Sequence, residues 1–245
     1  MRLNFNILEL PLRVFRYFLM RRGNRLSANC RFVRLKVKGR NNSIEISKDV
    51  PLVDLARLSI KVHGDGNKIV LGKIGVKGRL YLSIGGRGND MRLDDGVRVI
   101  ETVRIEMTKG AVGATVHIGE GTTLRGVTMR SFDSGSKLMI GRDCMFSYGI
   151  LLQNTDEHLI ESESGKRNLS TGLSVGDHVW CGIGATVMKN SVIGSGSIVA
   201  AKAVVAGRFP EECVVLAGNP ARIAKTGIRW FRSGTNDREV PRADS

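Results

Sequence analysis

The chain has 245 residues, enough to bury a substantial core in one main domain with short appendages. Apolar residues make up 42% and charged residues 25%, and thirty glycines against five prolines point to many turns and exclude a collagen-like or linker-like chain. Lysine and arginine exceed the acids by fifteen, so the surface should attract phosphates, acidic glycans, nucleic acid or acidic lipid head groups, with charge alone unable to choose among them.

Four cysteines, Cys30, Cys144, Cys181 and Cys213, show no CxxC pair and no histidine at zinc-finger spacing, so neither a metal site nor a redox motif is expected and the thiols read as reduced. No apolar run approaches the ~20 residues that span a bilayer, and the start lacks the pattern of a signal peptide. The expected location is the cytoplasm.

In chain order, Pro11 suits a first helical position, Gly23 the position just past a helix end, and Arg21 with Arg22 the last turn, which predicts a helix over residues 11–22. Residues 1–40 carry eleven basic residues against Glu9 alone. This basic arm reads either as an end cap or as peripheral contact with an anionic membrane, at the inner face.

A repeat follows. The pairs Ile44/Ile46, Ile69/Leu71, Met91/Leu93, Val116/Ile118 and Leu138/Ile140 each flank one outward residue, as a half-buried strand requires. Their second members lie 25, 22, 25 and 22 residues apart, each pair preceded by turn material such as Gly66-Asn67 and Gly88-Asn89. That is one coil per repeat.

From Leu173 the repeat tightens, and Val175, Cys181, Val187, Ile193, Val199 and Val205 keep a spacing of six. At 42% apolar composition, six such hits in a chosen phase would arise by chance about 0.5% of the time. If three faces close one coil, Val175 stacks on Ile193, Cys181 on Val199 and Val187 on Val205, with Ala185, Ser191, Ser197 and Ala203 at tight corners. The fold class is therefore all-β, a coiled parallel β-helix, whose hand the spacing does not reveal.

The step from Ile140 to Val175 is 35 residues where 22 to 25 is the rule. The surplus must leave the coil as a loop within residues 153–172, and that loop carries His158, flanked by Asp156 and Glu157, either of which could orient one ring nitrogen. His178, near a coil corner, reads as structural. Trp180 precedes an inward position and so should face outward, toward a ligand or a subunit partner.

The run Val175-Gly-Asp-His-Val-Trp-Cys-Gly, the six-residue rungs after it, Phe209-Pro210 and Ala217-Gly-Asn-Pro-Ala-Arg222 resemble the hexapeptide-repeat acyltransferases, which are left-handed parallel β-helix enzymes. The stretch from Thr155 to Ile160 with Gly165 to Asn168 is similar to the histidine loop of bacterial capsule and lipopolysaccharide O-acetyltransferases. The resemblance runs from about Asn42 to Trp230.

It implies acetyl-CoA as acyl donor, no metal, a glycan acceptor that the charge allows to be acidic, and a homotrimer. It implies His158 as general base; Asp156, from its place beside the histidine, and Trp180, at the acetyl end of CoA, are read with it as the catalytic set. An imidazole near its own pKa can take the proton of a sugar hydroxyl as that oxygen attacks the thioester, with backbone amides stabilising the oxyanion. No acyl-enzyme is needed, which suits Cys181 and Cys144, both read as core. Trp180, Gly182, Ile183 and Ala206 would border CoA, with Arg222 near its phosphates. The lysine usual in the last rung is Gly207 here, so Lys202 or Arg208 is expected to supply that anion contact.

Other readings fare worse. A γ-class carbonic anhydrase needs grouped ligands, whereas His63, His117, His158 and His178 are separated by 54, 41 and 20 residues. No phosphate-binding strand, glycine loop and helix precede the coils, against a sugar nucleotidyltransferase, and thirteen aromatics without a motif speak against nucleic acid. A non-catalytic coil, or an acetyltransferase acting on an amino sugar or small molecule, stays as the alternative. The expected domains are a basic arm over 1–40, the β-helix over 41–230 and a disordered tail over 231–245.

Overall fold

The computed structural model describes residues 22–107 and 110–232. The helix expected over 11–22 lies outside the described residues, apart from Arg22 in a turn. Three parallel sheets of nine, eight and eight strands wrap one apolar core, and within each sheet the strands stack in chain order. The first sheet runs from Arg25–Leu26 through Ser43–Ile46, Lys68–Leu71, Asp90–Leu93, Thr115–Ile118, Lys137–Ile140, Gly172–Val175 and Val192–Ile193 to Arg208–Phe209. From Lys68–Leu71 to Val192–Ile193 each strand of this sheet leads to the third sheet, then the second, and back, whereas after Ser43–Ile46 the short helix Leu52–Leu55 stands in for the third-sheet strand. A hairpin of Val215–Gly218 with the antiparallel Ala221–Lys225 closes the third sheet.

The register follows the apolar pairs. Ile44 lies opposite Ile69, Ile69 opposite Met91, Met91 opposite Val116, Val116 opposite Leu138 and Leu138 opposite Leu173. The six-residue ladder stacks as its spacing demands: Val175 on Ile193, Cys181 on Val199 and Val187 on Val205. All six are buried, as are the corner residues Ala185, Ser191, Ser197 and Ala203. Stacking identical inward positions keeps the core continuous from coil to coil, which a single coil could not achieve alone.

The coil begins earlier than residue 41. Arg25–Leu26 pairs with Ser43 and Ile44, and Arg34–Lys38 pairs with the strand Leu58–Asp65. Only Cys30, Val33 and Leu35 of this first coil are buried hydrophobics, set among cations that hide the period. At the far end the last strand is Ala221–Lys225, and Arg232 is bonded back to Asp143 of the coil; residues 233–245 lie outside the described residues.

Asn67 and Asn89, which read as turn material, are buried. They belong to a ladder in which Asn42, Asn67 and Asn89 each donate through Nδ2 and backbone N to the side-chain oxygen of the asparagine one coil earlier, starting at Asn24. Ala114 N closes it on Asn89. Beside the ladder the backbone is pinched: a Cβ on Gly64 or Gly86, both at positive φ, would stand 1.9 Å from the next coil's carbonyl oxygen. The ladder satisfies buried backbone groups at the corner between the second and first sheets. At that same corner, later in the chain, the loop leaves the coil.

Candidate functional site

The strand Ile150–Gln153 ends the second sheet's part of a coil and Gly172–Val175 resumes the first, so residues 154–171 project from one corner. Polar residues at the base clamp the loop. Asn154, Thr155 and Ser170 are buried. Asn154 accepts from Ser170 Oγ (2.6 Å) and donates to Ser131 Oγ (3.1 Å). The Asp133 carboxylate accepts from the Thr155 hydroxyl (3.3 Å) through one oxygen and from Ser170 N–H (2.9 Å) through the other, so one side chain ties both ends of the loop. Beyond the base the loop folds as a small hairpin, with Asn168 N–H on Ile160 O and Ser162 N–H on Lys166 O.

His158 follows Glu157, which sits at φ 61° with its N–H on Thr155 Oγ1. The left-handed residue turns the chain, and His158 stands exposed beside a cavity of about 370 Å³ whose lining includes Phe132, Asp133, Asp156, Leu159 and Leu169. Around it Leu159, Ile160 and Leu169 are exposed apolar side chains. Glu157 is held below the ordinary carboxylate range first by the Gln153 amide (3.0 Å), with desolvation opposing this and Arg130 (2.6 Å) adding to it. Asp156 does not bond His158; it takes Lys189 Nζ and, at 3.2 Å, Asn168 Nδ2, and the same lysine reaches Asn168 O. Asp156 thus braces the loop, while Glu157, next to His158 in the chain, is held by Gln153 and Arg130.

Trp180 lies elsewhere. It belongs to the strand Trp180–Cys181 of the third sheet, whereas the loop sits where the second meets the first. Its side chain faces outward as expected but is half-buried, with Trp230 of the chain's own C-terminal segment 6.1 Å away. Trp230 also stacks on His178 at 4.0 Å and donates to its carbonyl. The His178 ring is bonded to Asp143 (2.7 Å) and to Trp230 O (3.1 Å), a structural role. Burial opposes ionisation of Asp143, but His178 and Arg232 outweigh it and hold its pKa low.

The remaining residues expected at CoA divide between two corners and a hairpin. Ile183 is exposed where the third sheet passes to the second, with Lys202 one coil on and its N–H on Ile183 O. Gly182 is buried there, and a Cβ on it would meet Ala201 N at 2.7 Å. Ala206 and Arg208 lie at the corner from which the His158 loop leaves, further along the coil. Arg222, in the closing hairpin, is exposed. Burial pushes the Cys144 thiol up to about 11 and raises Cys181 further, so neither can serve as a thiolate near neutrality. Among the described residues no group of three or more His, Cys, Asp or Glu is placed to hold a metal ion, and no helix is long and apolar enough to cross a membrane.

Three features escaped sequence reasoning. Asp133 precedes Thr155 by 22 residues, one coil by the chain's own ruler, so counting back from the loop points to it. Lys189 and the C-terminal segment had no such signal.

Comparison with known proteins accords with this architecture. No family model matches the chain. A polysialic acid O-acetyltransferase of Neisseria meningitidis is 32% identical over 203 residues, 80% of this chain and 88% of that protein. A polysialic acid O-acetyltransferase of Escherichia coli O1:K1 is 30% identical over 123 residues, which is 49% of this chain and only 39% of that relative's length. The crystal structure of the polySia-specific acetyltransferase NeuO superposes with a TM-score of 0.58 at 27% identity, covering 76% of this chain and 93% of that one.

Proposed function

The chain belongs to the hexapeptide-repeat O-acetyltransferase family, and on that premise we propose that it carries acetyl from acetyl-CoA to a hydroxyl of a surface polysaccharide or its precursor, with His158 as general base. The observation that carries the reading is the clamped loop, which holds His158 at the edge of a cavity of about 370 Å³ large enough for a reacting sugar. The imidazole accepts the hydroxyl proton as the oxygen attacks the thioester carbonyl. The proton then leaves with the CoA thiolate, so His158 ends the cycle neutral. Glu157 and the Asp156–Lys189–Asn168 brace fix the loop backbone that presents the ring.

CoA is proposed to lie along Trp180, Gly182 and Ile183, with Lys202, Ala206, Arg208 and Arg222 toward its phosphates. Because Trp180 and His158 occupy different sides of one coil, a neighbouring copy in a homotrimer is proposed to bring them together. Exposed Leu159, Ile160, Leu169 and Ile183 supply apolar contact for that packing and for the pantetheine arm.

Purified protein mixed with acetyl-CoA and a panel of neutral, acidic and amino glycans tests the proposal. Thiol release that needs a hydroxyl acceptor, with an acetyl ester in the product, supports it. Release only with amino sugars would move the acceptor to nitrogen, and no acceptor-dependent release would leave a scaffold.

A further inference from the structure

The cations of this chain are not spread evenly. On the outward side of the second sheet, Arg34 lies opposite Ser59, Ser59 opposite Tyr81 and Tyr81 opposite Arg104; in the neighbouring row Lys36 lies opposite Lys61 and Lys61 opposite Ser83. Next to these rows opens a cavity of about 530 Å³, larger than the one at His158, lined by Arg34, Arg57, Lys77, Arg79 and Tyr81 with Glu101 as its single acid.

Among the described residues, Arg34, Lys36, Lys61, Lys77, Arg79 and Arg104 form no ion pair. Arg57 differs, since its guanidinium is already bonded to Val76 O and Asp54. Arg79 donates to the Tyr81 hydroxyl at 3.4 Å, and Arg104 lies 5.1 Å from the centre of the Tyr81 ring. The phenol's pKa is lowered, first by the Arg79 hydrogen bond, with Arg104 and Arg34 acting in the same direction.

We propose that this cavity is a carboxylate-binding subsite that holds an acidic polysaccharide remote from the point of acetyl transfer. Guanidinium forks match carboxylates in two-point geometry, and a tyrosine ring offers a face to a sugar's C–H side. The inference rests on the reading of a glycan acceptor at His158.

Continuity with that site favours a polymer. The cavity opens at the start of the strand Arg79–Arg87, three strand steps across the second sheet from Ile150–Gln153, at whose far end the loop begins; the strand steps alone span roughly 14 Å, to which the length of a strand is added. Between them is a further groove of about 390 Å³ whose lining includes His63, Ser83, Gly85, Met107 and Phe132. Phe132 lines both this groove and the His158 cavity, and the groove's Ser83 is the next outward residue after the cationic cavity's Tyr81 on the same strand, so a polymer that follows the strands would pass from the cationic subsite toward the histidine.

The test measures binding without acetyl-CoA, using polysialic acid from dimer to long polymer, with neutral dextran as control. For the wild type, affinity should rise with chain length and fall with added salt. The triple variant Arg34→Ser, Lys77→Ser, Arg79→Ser, folded by circular dichroism, should bind the long polymer roughly tenfold or more weakly and lose the dependence on length, while acetyl-CoA affinity stays unchanged.

Equal losses on dimer and polymer, no loss at all, a fall in acetyl-CoA affinity, or a loss confined to phosphatidylglycerol vesicles would each overturn the subsite. The two readings separate cleanly. Length-dependent binding without any acetyl transfer defeats the acetyltransferase reading and leaves the subsite standing, whereas transfer with length-independent binding defeats the subsite alone.

Discussion

Replacing Asp133 with alanine should uncouple the His158 loop from a coil that remains folded. The carboxylate accepts two hydrogen bonds, one from each end of the loop, and bonds to an ionised acceptor contribute about 1.5–3 kcal/mol each. Asp133 is partly exposed and the Thr155 bond is long at 3.3 Å, so about 2–3 kcal/mol for the pair is the better figure. At about 1.4 kcal/mol per factor of ten, the closed-to-open ratio of the loop should fall by roughly 30- to 100-fold. Asp156–Lys189 and Arg130–Glu157 still hold the loop, so the loss in kcat/KM should lie toward the lower end. Asp133→Asn keeps one acceptor for Ser170 and a donor for the Thr155 hydroxyl, and should lose less. Hydrogen exchange gives the direct readout: the Asn168 amide, bonded to Ile160 O, should lose protection in the alanine variant while amides of the strand Lys137–Ile140 keep theirs. Unchanged protection at Asn168 together with wild-type kcat/KM would refute the clamp.

Other outcomes follow from the same structure. Asn67→Ala strips the buried Asn89 N–H and Gly86 O of partners, at about 1–3 kcal/mol each, and should lower Tm by roughly 5–15 °C in a thermal scan. Cys144 and Cys181 should resist a thiol reagent in the folded protein at pH 8 and react only after denaturation, since burial raises both thiols. Asp143 is the acid-sensitive point of the C-terminal segment. Its folded pKa lies below the ordinary 3.8, so its contribution is fully present above that value and is lost as pH falls through the lowered one. Tryptophan fluorescence should therefore report release of Trp230 from His178 only in strong acid. Finally, mixing inactive His158→Ala and Trp180→Ala chains, unfolded and refolded together, should restore part of the activity; no restoration would contradict a site shared between copies.

The architecture was legible because a coil repeats. Every pair from Ile44/Ile46 to Leu138/Ile140 is buried in register, and the interruption between Ile140 and Val175 marks the loop in the spacing alone. The asparagine ladder was half-visible: Asn67 and Asn89 recur at coil spacing, but polar residues beside glycine read as turn, and only the stacked geometry makes them inward hydrogen-bonding groups. Site details were less legible. Adjacency in sequence left both Asp156 and Glu157 able to orient His158, and the Asp156 side chain reaches Lys189, a residue whose proximity depends on the loop folding back onto the next coil. The outward phase of Trp180 was readable from Cys181, but its cover by Trp230, fifty residues later, arises from a terminal segment with no period to follow.

The account stands or falls on His158 as the proton acceptor in acetyl transfer. The direct measurement is acceptor-dependent CoA release by wild type and by His158→Ala, at equal secondary structure and equal Tm. The account predicts that the variant loses about 10²- to 10⁴-fold in kcat while still binding acetyl-CoA. A variant that turns over within twofold of wild type would contradict it.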